Sequence, residues 1–125
     1  MKKIILLLLC TYSFLNAEVV WTNYDKALKQ SQQTKEIIMV MLGRDSCGVC
    51  NYMKTVVFKD KKVLEKMQGN FLPVYIELDF DDVPNNLAYI GTPTFYFLDH
   101  NEKTLLRVDG GKTTPSFLKA LEQLR

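Results

Sequence analysis

Ile37-Ile38-Met39-Val40-Met41-Leu42-Gly43-Arg44-Asp45-Ser46-Cys47-Gly48-Val49-Cys50 joins a continuous apolar run to two cysteines three positions apart. The run from Ile37 to Leu42, bounded by Glu36 and Gly43, has the length and β-branched content of a strand buried on both faces, as in a parallel sheet. Cys47 then opens a segment that turns Cys50, Met53, Val56 and Val57 inward at helical spacing. A cysteine in the first turn of a helix lies among unpaired N–H groups at the positive end of the dipole, and both stabilise a thiolate. An unperturbed cysteine, with a pKa of about 8.5, is only slightly ionised at neutral pH; in C-x-x-C settings the value falls to about 7 and in the strongest oxidant to about 3.5. Cys47 is therefore the expected nucleophile toward a disulfide. Cys50, one turn further in, is the expected resolving thiol.

Two other uses of the pair compete with this one. A structural staple would close a loop of only four residues, which restrains the unfolded chain by about 2 kcal/mol on the loop-entropy model. A closed zinc site wants four ligands. Beyond this pair the chain offers Cys10, in its N-terminal apolar stretch, and one histidine, His100, in the polar run Asp99-His100-Asn101-Glu102. A solvated turn residue is the simpler reading of His100. The residues favour redox chemistry, with no metal and no bound cofactor expected.

Upstream, Lys2 and Lys3 precede an apolar stretch from Ile4 to about Leu15, and Ala17 offers a small residue before a cut. This is the layout of a secretory signal peptide. A membrane span needs about 20 apolar residues, and this stretch is shorter and interrupted by Cys10, Thr11, Tyr12 and Ser13. Leu9 is too bulky before Cys10 for a lipid-attachment site. The expected organisation is a signal peptide over residues 1–17 and one domain over residues 18–125, exported to the periplasm. Of the 16 basic residues in the 125-residue chain, two lie in the leader, so the remainder balances the 14 acidic residues. That balance leaves no electrostatic footprint for nucleic acid.

Working outward from the cysteines, Thr22 is positioned to cap a helix with Tyr24, Ala27, Leu28 and Ser31 on one face, ended by the polar stretch Gln30 to Lys35. A further helix is expected from Lys61 to Gln68, stopped at Gly69. Phe71 to Leu78 reads as a strand with Pro73 near its start, and Leu87 to Ile90 as one helical turn. Thr94–Leu98 and Thr104–Val108 read as a β-hairpin. Gly110-Gly111 ends the hairpin, and Thr114 caps a last helix with Pro115 at its first position and Phe117, Leu118, Leu121 and Leu124 inward. The order predicts an α/β sandwich of three layers, with a mixed central sheet and helices on both faces.

Over residues 18–125 the chain resembles the thioredoxin-fold proteins. The resemblance rests on the strand before Cys47-Gly48-Val49-Cys50, on Gly91-Thr92-Pro93-Thr94, and on the closing Gly110-Gly111 with its helix. Trp21, Tyr24, Ala27 and Met53 are similar to the small exported members, such as the C-terminal domain of the transmembrane thiol:disulfide interchange protein. Gly48 and Thr92 resemble the catalytic domain of the periplasmic disulfide isomerase. The resemblance implies that Pro93 is cis and lies against the cysteines, that Thr92 and Pro93 bind substrate, and that Ser46, Gly48 and Val49 form the active-site loop. Three positions depart from thioredoxin itself: Ser46 replaces a tryptophan, Val49 a proline, and Met41 the buried aspartate that helps deprotonate the resolving cysteine. Glu77, Asp45 or water would then have to serve Cys50. The implied function is a monomeric periplasmic thiol:disulfide oxidoreductase, in the reductase direction, acting on protein thiols and disulfides and fed by a membrane or periplasmic redox partner. An oxidant or isomerase, or a non-catalytic partner- or metal-binding module, are the alternatives.

Overall fold

Hydrophobic alternation on both sides of one sheet organises the molecule. The computed structural model describes residues 18–124; the signal-peptide reading of residues 1–17 lies outside them. The elements are α1 (Tyr24–Thr34), β1 (Ile37–Gly43), α2 (Gly48–Thr55), a 3-10 turn (Val57–Lys59), α3 (Lys61–Met67), β2 (Phe71–Glu77), β3 (Thr94–Leu98), β4 (Thr104–Asp109) and α4 (Thr114–Glu122). The strands stand in the order β2-β1-β3-β4. β1 runs parallel to β2 and antiparallel to β3, and β3 pairs antiparallel with β4. This is the mixed sheet expected from the sequence.

Every residue of β1 is buried, because successive side chains feed two separate cores. Ile38, Val40 and Leu42 join Leu72, Val74, Ile76, Tyr96 and Leu98 beneath Ala27 of α1. Met39 and Met41 join Phe71, Phe95 and Phe97 beneath α2, α3 and α4, which contribute Cys50, Met53, Val63, Met67, Phe117 and Leu121. Phe117 anchors this second core, with ring centroids 5.2 Å from both Phe58 and Phe95. Aromatic pairs at such spacing add about 0.5–1.5 kcal/mol beyond the area they bury.

Several local expectations shift by a residue or fail. Asn23, not Thr22, caps α1 through a bond from the Lys26 N–H, because Thr22 is held in a parallel bridge to Val74. α1 continues through the polar stretch to Thr34 and closes on Lys35 at φ 64°, whose N–H donates to the Ser31 carbonyl. The buried Ser31 hydroxyl donates to the Glu36 carbonyl, so a polar group on the inner face is satisfied. Val56 is 46% exposed, since α2 ends at Thr55 and the chain re-enters the core only at Val57. Thr113 rather than Thr114 caps α4, which puts Pro115 at the second position. No helical turn forms over 87–90; Leu87 alone is buried there, and irregular chain carries Ile90 out to solvent.

Candidate functional site

The C-terminal end of β1 and the start of α2 bring the cysteines together. Cys47 is the N-cap of α2 and is half-buried, whereas Cys50 is fully buried. The two are joined as a disulfide, with Cα atoms 5.2 Å apart. The Cys50 N–H donates to Cys47 Sγ at 3.1 Å, so one of the helix's orphan donors already points at the outer sulfur. In the reduced protein the same donor and the positive helix end stabilise a Cys47 thiolate. Ser46, Gly48 and Val49 are exposed around it, Val49 by 49%.

The second wall is the segment before β3. The Thr92–Pro93 peptide is cis. The Thr92 carbonyl oxygen lies 3.8 Å from Cys47 Sγ, with Thr92 half-buried and Pro93 buried. The Pro93 carbonyl accepts from the Gly110 N–H at 2.8 Å, and Gly110 takes φ 83° to make that approach. Gly111 is placed even more tightly: a Cβ built there would run into the Cγ1 of Val49. The two glycines after β4 thus fasten the proline segment and leave room for the cysteine loop.

Around Cys50 the structure gathers residues that the sequence alone did not single out. A Cβ on Gly43 would stand 3.3 Å from Cys50 Sγ and 2.9 Å from Tyr75 Cε2, so glycine there lets the inner cysteine and the tyrosine approach the strand. Lys54, one helical turn after Cys50, lays its ammonium 3.2 Å from the centroid of the Tyr75 ring. Tyr75 also donates to exposed Asp45 at 3.4 Å. Burial pushes the Lys54 ammonium below its ordinary value, opposed by the carboxylates of Asp45 and Glu77. Burial, with Asp45 and Glu77 adding to it, pushes the Tyr75 phenol up. Met41 is fully buried in the same core and brings no ionisable group. Glu77, at the end of β2, is buried with neither carboxylate oxygen hydrogen-bonded. No signal along the chain marks Gly43, Lys54 or Tyr75, because sheet register and helix packing make their neighbourhood.

His100 lies in the β3–β4 turn, half-buried. Among the described residues no group of three or more His, Cys, Asp or Glu is arranged to hold a metal ion. What the arrangement can do chemically is dithiol–disulfide exchange: an accessible sulfur, a buried second sulfur in bonding reach, and backbone carbonyls beside them.

Solved structures place this geometry among known folds. A DsbH oxidoreductase superposes with a TM-score of 0.71 over 94% of both chains at 21% identity. A thioredoxin from Thermus thermophilus matches with a TM-score of 0.71 at 28% identity, covering 86% of this chain and 87% of that one. A candidate disulphide-isomerase from Bacteroides thetaiotaomicron gives 0.72 at 20% identity over 85% and 92% of the two chains. By sequence, an uncharacterized protein of Archaeoglobus fulgidus is 26% identical over 70 residues, 56% of this chain and 55% of that relative's length. A family-level sequence model for the thioredoxin-like domain matches residues 24–125. That match spans α1 to the C-terminus and takes in both cysteines, the Thr92–Pro93 segment and the closing glycines, and on it the chain belongs to the thioredoxin-like domain family.

Proposed function

We propose that the protein is a periplasmic thiol:disulfide oxidoreductase that reduces protein disulfides through Cys47 and Cys50. The observation that carries the reading is the asymmetry of the pair: a half-buried Cys47 receiving the Cys50 N–H at a helix start, beside a fully buried Cys50. Cys47 thiolate attacks a substrate disulfide, one substrate sulfur leaves as thiolate, and a mixed disulfide forms. Cys50 then attacks Cys47 Sγ, and the second substrate sulfur leaves. The protein dithiol is oxidised by two electrons and the substrate disulfide is reduced. Thr92 and Pro93 hold the substrate, with the Thr92 carbonyl beside Cys47 offering a backbone partner to an extended segment. Ser46, Gly48 and Val49 form the rim of the site.

The periplasmic assignment draws on the leader in the sequence, and the reductase direction on the resemblance to exported reductases. A membrane or periplasmic dithiol partner re-reduces the pair. The test is insulin reduction by residues 18–125, read as turbidity with a small-molecule reductant. Turbidity above the reductant-only control supports the oxidoreductase; none favours a docking module. Equilibration with glutathione then sets the direction, since 30 mV corresponds to about 1.4 kcal/mol and reductant-like and oxidant-like pairs lie far apart on that scale.

A further inference from the structure

The exchange cycle leaves one step without a proton acceptor. Cys50 is fully buried, and a buried thiol resists ionisation, yet it must become a thiolate to attack Cys47. Among the described residues Glu77 is the buried charged side chain, and both of its oxygens lack a hydrogen-bond partner. An unpartnered buried carboxylate is costly to keep. No hydrogen bond offsets that cost, and among the described residues the one cation facing it is Lys54.

Register decides what else lies beside it. Glu77 pairs with Gly43 across the parallel β1–β2 ladder, so both point to the same side of the sheet, about 4.8 Å apart. The space above Gly43 is where Cys50 Sγ stands, 3.3 Å from the position of a Cβ. Because Gly43 has no side chain, the space above it is left to Cys50 Sγ and the edge of the Tyr75 ring, on the side of the sheet that Glu77 faces. Lys54 from α2 and Tyr75 from β2 itself face Glu77, Asp45 from the loop after β1 acts on both of those groups, and the Asp81 carboxylate accepts from the Glu77 N–H at 2.8 Å. Lys54 follows Cys50 by one turn on the same helix, so the cation remains near the negative charge wherever the proton lies.

We infer that Glu77 is the proton acceptor for Cys50 in the resolving step, a role that rests on the oxidoreductase reading above. Cys50 passes its proton to the Glu77 carboxylate, the Cys50 thiolate attacks Cys47 Sγ, the mixed disulfide breaks, and the leaving thiolate departs. The proton on Glu77 returns to solvent. In the reverse direction the Glu77 carboxylic acid protonates Cys50 as it leaves.

The test mixes reduced protein with dithiobis-nitrobenzoate, whose coloured thiolate leaves once when Cys47 attacks and once when Cys50 resolves. In Glu77→Gln the first release should keep its rate and the second should slow by about 100-fold, the lower end of general acid–base contributions. The slowed release should rise roughly tenfold per pH unit through neutrality, because the pathway then depends on the thiolate that forms unaided, while Glu77→Asp restores part of the rate. Glu77→Leu, similar in volume and apolar, gives a second folded background with the same slowing expected. A second release in both variants within twofold of wild type overturns the inference, as does equal slowing of both releases. If neither Gln nor Leu folds, Glu77 is a structural group and the inference falls. If wild type itself never releases the second thiolate, the oxidoreductase reading fails instead.

Discussion

The two faces of the central sheet are built from different materials. Beneath α1 the sheet presents Ile38, Val40, Leu42, Leu72, Val74, Ile76 and Leu98, aliphatic and mostly β-branched, with Tyr96 the single buried ring among them. Beneath α2, α3 and α4 it presents Met39, Met41, Phe71, Phe95 and Phe97 with Cys50 among them, and Tyr75 packs at the margin of this core. Branched aliphatic chains are stiff at χ1 and lock into one packing. Methionine and aromatic rings fill irregular space and tolerate a changing sulfur beside them. One face holds the sheet and the other accommodates chemistry, and single substitutions should separate the two.

The largest effects belong to the cysteine face. Cys47→Ser should abolish insulin reduction, since no other cysteine among the described residues is half-exposed at a helix start. Cys50→Ser should leave Cys47 able to attack but unable to let go, so that non-reducing gels of cell extract show adducts that vanish with reductant. Normal turnover by Cys50→Ser would remove the division of labour between the two sulfurs.

An intermediate effect belongs to the other face. Leu42→Ala deletes a fully buried side chain among aliphatic neighbours and should cost about 2–5 kcal/mol in a denaturant titration. Alkylation of Cys47 in the folded fraction should proceed at the wild-type rate. A changed alkylation rate would mean that the faces are coupled through β1.

The smallest effect compares one tyrosine from each face. Tyr24 packs at the margin of the α1 core and donates to Glu102 at 2.6 Å; burial first, then that carboxylate, push its pKa up to about 12 from 10.0. Tyr75, on the cysteine face, is pushed up as well, by burial first. Because both folded values lie above the unfolded one, the stability they contribute is fully present below pH 10 and is lost as pH rises from there through the raised values. The melting temperature should therefore fall from pH 10 upward, and Tyr24→Phe should flatten the portion up to about pH 12. An unchanged alkaline slope in that variant would assign the whole loss to other groups.

The aliphatic face was legible from the sequence because β1 and β2 declare it residue by residue. The Cys47–Cys50 pair and its place at a helix start were legible for the same reason: strand, turn and helix are consecutive in the chain. Glu77 could be named beforehand only as one of two carboxylates available to serve Cys50. Its burial and its alignment with Gly43 depend on the register of two strands separated by three helical segments. Capping at Asn23 instead of Thr22 failed to show for a comparable reason. Either side chain can cap, and the choice was made by a bridge to Val74, about 50 residues away in the chain. The segment 79–93 was the least legible, since after Glu77 no periodicity governs it until β3 begins.

Gly111 and Val49 occupy what amounts to a single volume shared by two distant positions in the chain. Any residue larger than glycine at 111 requires the half-exposed Val49 side chain to turn away, to shrink, or to carry the cysteine loop with it. Trimming Val49 to alanine or glycine should therefore make a side chain at 111 easier to accept. The composition of the loop between the cysteines is thus written partly in the last strand-to-helix turn of the protein.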